Sequence, residues 1–202
     1  MSKNLRVKAS KYIDETSRVS FKFNGKIYYG FKGDTLASAL IANDVHLVGR
    51  SFKYHRPRGI MTAGSEEPNA IVQVNGNTPY TEPNVRATEI EIHEGLEASS
   101  QNCWPSVGFD IGGINNLVSP ILPAGFYYKT FMWPASFWKK YEYVIRHSAG
   151  LGKSPKVADP DIYDHRYIHC DVLIIGAGIS GIMAAKTAAQ NNLKTLLLDE
   201  KT

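Results

Sequence analysis

The sequence predicts a small α+β domain followed by the opening of an α/β unit. Three observations carry that prediction. Near the amino terminus, two short alternating runs meet at Asn24-Gly25, and a helical pattern follows them. Near the other end, the apolar run at 172–175 leads straight into a G-x-G-x-x-G turn, an alanine-rich helical stretch and a second apolar run ending on Asp199. Between the two, residues 101–150 are dense in aromatic side chains and fit neither pattern.

The first domain is placed at residues 15–97. Residues 19–23 alternate polar and apolar, Asn24-Gly25 is the dipeptide that two-residue hairpins favour, and 26–30 returns. Gly33-Asp34-Thr35 starts a helix, whose apolar face is Leu36, Leu40 and Ile41 and whose end is near Asn43-Asp44. Residues 70–74 form a strand that stops at Asn75-Gly76, and 89–93 (EIEIH) reads as a half-exposed strand. Hairpin, helix, then further strands is the order of a β-grasp, ferredoxin-like domain.

A basic loop, GRSFKYHRPRG at 49–59, falls where a plant-type ferredoxin carries its cluster cysteines. It has none, so no iron–sulfur cluster is expected. Arg50, Lys53, Arg56 and Arg58 either grip a phosphate or an acidic partner surface, or pair with acids such as Glu66 and Glu67 and pin the loop. The second reading weighs more.

Residues 98–169 read as an aromatic-rich connecting region. Pro134 can open a helix, with Phe137, Trp138, Tyr141, Val144 and Ile145 on one face and Gly150 as its cap. Such a stripe is usually core, with a subunit interface as the rival.

The last unit spans 170–202. Gly176 lets the chain turn sharply, Gly178 lets a pyrophosphate approach the backbone, and Gly181 lets helix pack close to strand. The helix start aims its N–H groups at the phosphates. The candidate cofactor-binding residues are Gly176, Ala177, Gly178, Ile179, Ser180, Gly181, Asp199 and Glu200. Asp199, about 20 residues past the glycines, accepts from ribose hydroxyls and repels a 2′-phosphate. NAD, or FAD as the alternative in the same site, is therefore expected over NADP.

Composition narrows the function classes. A chain of 202 residues with 43% hydrophobic and 21% charged residues is that of an ordinary globular protein. The net charge of +4 is mild and no nucleic-acid module is recognisable, so neither nucleic acid nor a membrane is an expected partner. Cys103 and Cys170 read as reduced thiols, and with no secretory signal the expected location is cytoplasmic. The histidines show no metal spacing. No catalytic constellation is visible.

Several long motifs then carry a resemblance. GDTLASAL at 33–40, the basic loop at 49–59, EEPNA at 66–70, SQNCWPS at 100–106 and PAGFYYKTFMWP at 123–134 resemble the amino-terminal part of heterotetrameric sarcosine oxidase alpha subunits. The resemblance implies a cluster-free ferredoxin-like domain and an NAD-binding domain in an oxidoreductase acting on CH–NH groups. It implies beta, gamma and delta partner subunits, with FAD on the beta subunit and FMN at the alpha–beta contact. The assembled enzyme would oxidise sarcosine to glycine, pass the one-carbon unit to tetrahydrofolate and form hydrogen peroxide. The family's subunit is several times longer, so the chain reads as a fragment or a split gene, inactive alone. Alternatives are a subunit of another flavin-dependent amine or amino-acid dehydrogenase, and a non-catalytic assembly module.

Overall fold

In the computed structural model, residues 5–7, 11–121, 125, 131 and 133–199 are described. The chain divides into two units, Met1–Pro160 and Asp161–Thr202.

The first unit is built on a five-stranded mixed sheet. β1 (Asp14–Phe23) and β2 (Lys26–Lys32) pair antiparallel around the Asn24-Gly25 turn. Both turn residues have positive φ, 50° and 76°, the geometry of a type I′ hairpin. α1 (Leu36–Ala42) follows, with the Thr35 hydroxyl accepting from the Ser38 N–H at its start. β3 (Gly49–Arg50) and β4 (Pro57–Arg58) form a small ribbon inside the basic loop. β5 (Ile71–Val74), β6 (Glu82–Arg86) and β7 (Leu96–Ser100) complete the main sheet in the order β2-β1-β7-β5-β6. β1 and β7 run parallel and the other pairs antiparallel. This is the mixed sheet that a β-grasp order implies, with β6 added at one edge, where Pro83 is tolerated because a ladder N–H is dispensable there.

Alternation on β1 sends Phe21 and Phe23 inward against Leu36, Leu40, Val48, Val72 and Leu96, all essentially inaccessible. Of the apolar face expected for α1, Ile41 is 41% exposed, and Ala37 and Ala39 flank Leu36 and Leu40 instead. At 100° per residue Ile41 lies about 140° round from Leu36, on the rim of the buried face. Asp34 is buried beside the helix start. It accepts from the Phe31 N–H (2.9 Å), the Ser38 hydroxyl (2.8 Å) and the Arg6 guanidinium, so its charge is paired and solvated by protein.

Residues 89–93 are not the expected strand. Their alternation is real, with Ile92 buried and Glu91 and His93 exposed, but their neighbour is a helix end. The Ile90 carbonyl accepts from the Leu36 N–H (2.8 Å) and the Ala87 carbonyl from the Ala37 N–H (2.9 Å). Residues 87–90 therefore satisfy two donors that the start of α1 leaves without partners.

Residues 101–121 lie back against the basic loop, and α2 (Trp138–Ser148) comes after a 3-10 turn at Ala135–Phe137. Gly150 has φ of 64°, as expected of a helix-ending glycine. The aromatic stripe is not core. Phe137, Trp138 and Val144 are 44%, 49% and 60% exposed. Phe126, Tyr127 and Tyr128 lie outside the described residues.

The second unit is a single β-α-β. β8 (Val172–Ile175) and β9 (Thr195–Leu198) are parallel neighbours joined through α3 (Ile179–Gln190). Asp171 staples their starts together, its carboxylate accepting from the Lys194 N–H (2.8 Å) while its own N–H donates to the Lys194 carbonyl (2.8 Å).

Candidate functional site

The glycine turn joins β8 to α3. Gly176 takes φ of 99°, which an L side chain rarely adopts, and its N–H donates to the Leu198 carbonyl at 2.7 Å. The chain thus leaves the strand at the last rung of the ladder. Gly178 precedes the helix, and a Cβ built on it would meet nothing within 4 Å, so the space beside it is open. Its carbonyl accepts the first helical bond, from Ile182 N–H at 2.9 Å. The N–H groups of Ile179, Ser180 and Gly181 precede that bond, and the cap residue, being glycine, offers them no side chain. A Cβ on Gly181 would overlap the Gly176 carbonyl oxygen and touch the Ile174 side chain. Helix and turn are therefore as close as the third glycine suggested.

Asp199, at the end of β9, reaches the same turn. Its carboxylate accepts from the Ala177 N–H at 2.5 Å. An acid beside a helix start is favoured by the local dipole. The structure thus gathers Gly176, Ala177, Gly178, Ile179, Ser180, Gly181 and Asp199 around one open helix end. Glu200 lies outside the described residues.

In the first unit, the basic loop is pinned, but not by the acids expected to pin it. Arg50 donates to the carbonyls of Val107 (2.8 Å), Gly108 (3.2 Å) and His55 (3.2 Å), and Arg56 donates to the Asn116 side chain (2.7 Å). Asn102 donates to the Arg50 and Ser51 carbonyls (3.0 and 3.1 Å). Glu67 is buried and accepts from the N–H groups of Met61, Thr62, Asn69 and Ala70. Burial raises the Glu67 carboxyl, yet those four donors outweigh it and hold the group below the usual carboxylate range.

No local pattern signals the contact between His55 and Asp110, whose Nδ1 and carboxylate are 2.6 Å apart and largely buried. Asp110 also accepts from the N–H groups of Trp104 (3.0 Å) and Gly112 (3.2 Å). Burial pushes the Asp110 carboxyl up; the Trp104 N–H, the His55 ring and the Gly112 N–H bring it below its ordinary value. Only its capping of the 3-10 turn at Ile111–Asn116 was readable locally. Cys103, beside this pair, has its thiol raised by burial and by the Asp110 charge, which argues against a reactive thiolate.

Two family models match. Residues 16–103 match one described as a 2Fe-2S iron-sulfur cluster binding domain, and residues 171–202 match an FAD binding domain. Sarcosine oxidase subunit alpha of Rhizobium meliloti (strain 1021) is 59% identical over 93% of this chain and 19% of its own length. The subunits of the same description from Corynebacterium sp. strains U-96 and P-1 are 30% and 32% identical, over 100% and 94% of this chain and 17% and 15% of theirs. The chain therefore spans less than a fifth of these relatives. A crystal structure of L-proline dehydrogenase from P.horikoshii aligns over 90% of this chain and 24% of that one, at 20% identity and a TM-score of 0.40, too low to carry an argument.

Two cofactor expectations are corrected by these matches. The glycine turn was read as an NAD site with FAD as the alternative, whereas the matching model is an FAD domain. NAD and FAD share the adenosine diphosphate half, which is all that the glycines and Asp199 address, so the turn could not separate them. The expected absence of an iron–sulfur cluster is overturned at the level of the family by the cluster-domain match. That expectation rested on one loop, while the match runs on to Cys103. Clusters of this type take four thiolates, and Cys103 is the one cysteine in the matched stretch, so the donors present do not fit a cluster.

FAD does fit the glycine turn, because the helix starts on a glycine and the space at Gly178 is open. Over nearly its whole length, the chain is homologous to the amino-terminal part of sarcosine oxidase alpha subunits.

Proposed function

We propose that this chain is the amino-terminal part of an alpha subunit in a sarcosine-oxidising flavoenzyme complex, and that its second unit opens a Rossmann-type FAD-binding domain. The observation that carries the reading is the coincidence of the FAD-domain match with a glycine turn that has open space at Gly178. In this reading the N–H groups of Ile179, Ser180 and Gly181 hold the pyrophosphate, which Gly176, Ala177 and Gly178 allow to approach. Asp199, with Glu200 beside it, accepts from the adenosine ribose. Bound FAD supplies a two-electron acceptor. The complete reaction would convert sarcosine to glycine, pass the one-carbon unit to tetrahydrofolate and yield hydrogen peroxide, in company with beta, gamma and delta subunits. Residues 15–97 form the ferredoxin-like domain, 98–169 the connecting region and 170–202 the nucleotide unit. No helix among the described residues is long and apolar enough to cross a membrane.

The test is FAD released by denaturation from the natural complex that contains this chain, wild type against Gly178→Val. A valine fills the space that the pyrophosphate needs, so FAD content should fall at least about tenfold while the complex stays assembled. Undiminished FAD would remove the site. A complex that holds FAD but leaves sarcosine untouched would remove the substrate.

A further inference from the structure

The first unit holds a cavity of about 410 Å³ whose charge is of one sign. Arg50, Lys53 and Arg58 line it, and no carboxylate of the described residues does. Nearby acids are engaged elsewhere: Glu67 faces four backbone N–H groups, and Asp110 is held by His55 and two more. Arg50 is fixed by three carbonyls, which neutralise none of its charge. Arg58 stands on β4 opposite Gly49, exposed, and forms no ion pair among the described residues. The Phe52 ring, 59% exposed, forms part of the same wall.

Like charges gathered around a concavity raise its positive potential and draw in anions. A guanidinium fork matches a phosphate in shape as well as charge. The volume lies in the range of small-ligand sites, and an exposed aromatic ring offers a flat stacking surface. A charged face that is merely solvated would be convex, and this one is concave. We propose that this cavity binds a small ligand carrying both a phosphate and an aromatic ring, with the phosphate on Arg58 and the ring against Phe52. The cavity is lined by residues of the first unit alone and does not depend on the function assigned to the glycine turn.

Titration calorimetry on the 202-residue chain with adenosine monophosphate, inorganic phosphate and adenosine tests it. The titrations are run in wild type and in Gly178→Val, so that binding at the glycine turn is set apart. Adenosine monophosphate should bind in both backgrounds, more tightly than phosphate, with adenosine weakest. Arg58→Ala should weaken it at least about tenfold, since bonds to charged groups are worth that much. Arg58→Lys should keep part of the affinity, and Phe52→Ala should erase the advantage over inorganic phosphate. Arg58 and Phe52 are exposed, so these variants should melt as wild type does. The proposal is overturned if adenosine monophosphate does not bind, if binding vanishes in Gly178→Val, or if Arg58→Ala leaves it unchanged. Equal affinity for phosphate alone would overturn the ring subsite.

Discussion

Gly181→Ala reverses the usual sign of a helix substitution. Within an open helix, replacing glycine by alanine stabilises by about 0.5–1 kcal/mol. At Gly181 the new methyl would overlap the Gly176 carbonyl oxygen. That atom is backbone, so no rotamer change relieves the clash, and either the turn or α3 must shift. Overpacking of this kind costs about 3 kcal/mol at the upper end of its usual range. The net loss is about 2 kcal/mol, or about a 30-fold rise in local opening. Hydrogen exchange on amides of β8, α3 and β9 reads that directly, and exchange in β1 and β5 should not change. Gly178→Ala is the control, because a methyl there meets nothing and φ is −62°. Its backbone should exchange as wild type does. If Gly181→Ala protects the unit as well as wild type, the close approach of helix and turn is wrong.

Other predictions concern the first unit. Asp110→Asn should loosen residues 102–116 from the basic loop and cost about 2–3 kcal/mol, read as lost protection in that segment. The folded Asp110 carboxyl titrates below its unfolded value, so its stabilisation is present above the ordinary carboxylate range and is lost as pH falls through the lowered value. Acid unfolding of wild type should therefore be steeper than that of Asp110→Asn. Glu67→Gln replaces one accepting oxygen by a donor facing backbone N–H groups, at a cost of about 1–3 kcal/mol in thermal unfolding. A variant as stable as wild type would mean that the Glu67 carboxylate is not what organises residues 61–70.

Local signals were legible and distant ones were not. The Asn24-Gly25 hairpin, the Thr35 cap and the glycine turn are each written within a few residues, and the structure builds all three. β6 and β7 escaped notice because their pairing partners lie elsewhere in the chain and their own alternation is weak, as in the polar LEASS of β7. Residues 89–93 misled for a related reason: alternation records which side chains are buried, not whether a strand or a helix end buries them. The basic loop was correctly expected to be held, but by carbonyls of residues 107 and 108 that composition cannot reveal. At the glycine turn, the residue types pointed to the adenosine diphosphate half that FAD and NAD share, and so could not separate the two.

The pairing of α1 with residues 87–90 bears on the order of folding. A seven-residue helix is far too short to persist alone in water. Its first donors wait for carbonyls that reach it only when the chain has returned from β6. Closing that long loop is an entropic barrier that must be crossed before α1 gains its partners. The β1–β2 hairpin, closed by two residues, needs no such return and is suited to act as the nucleus, with α1 consolidating late.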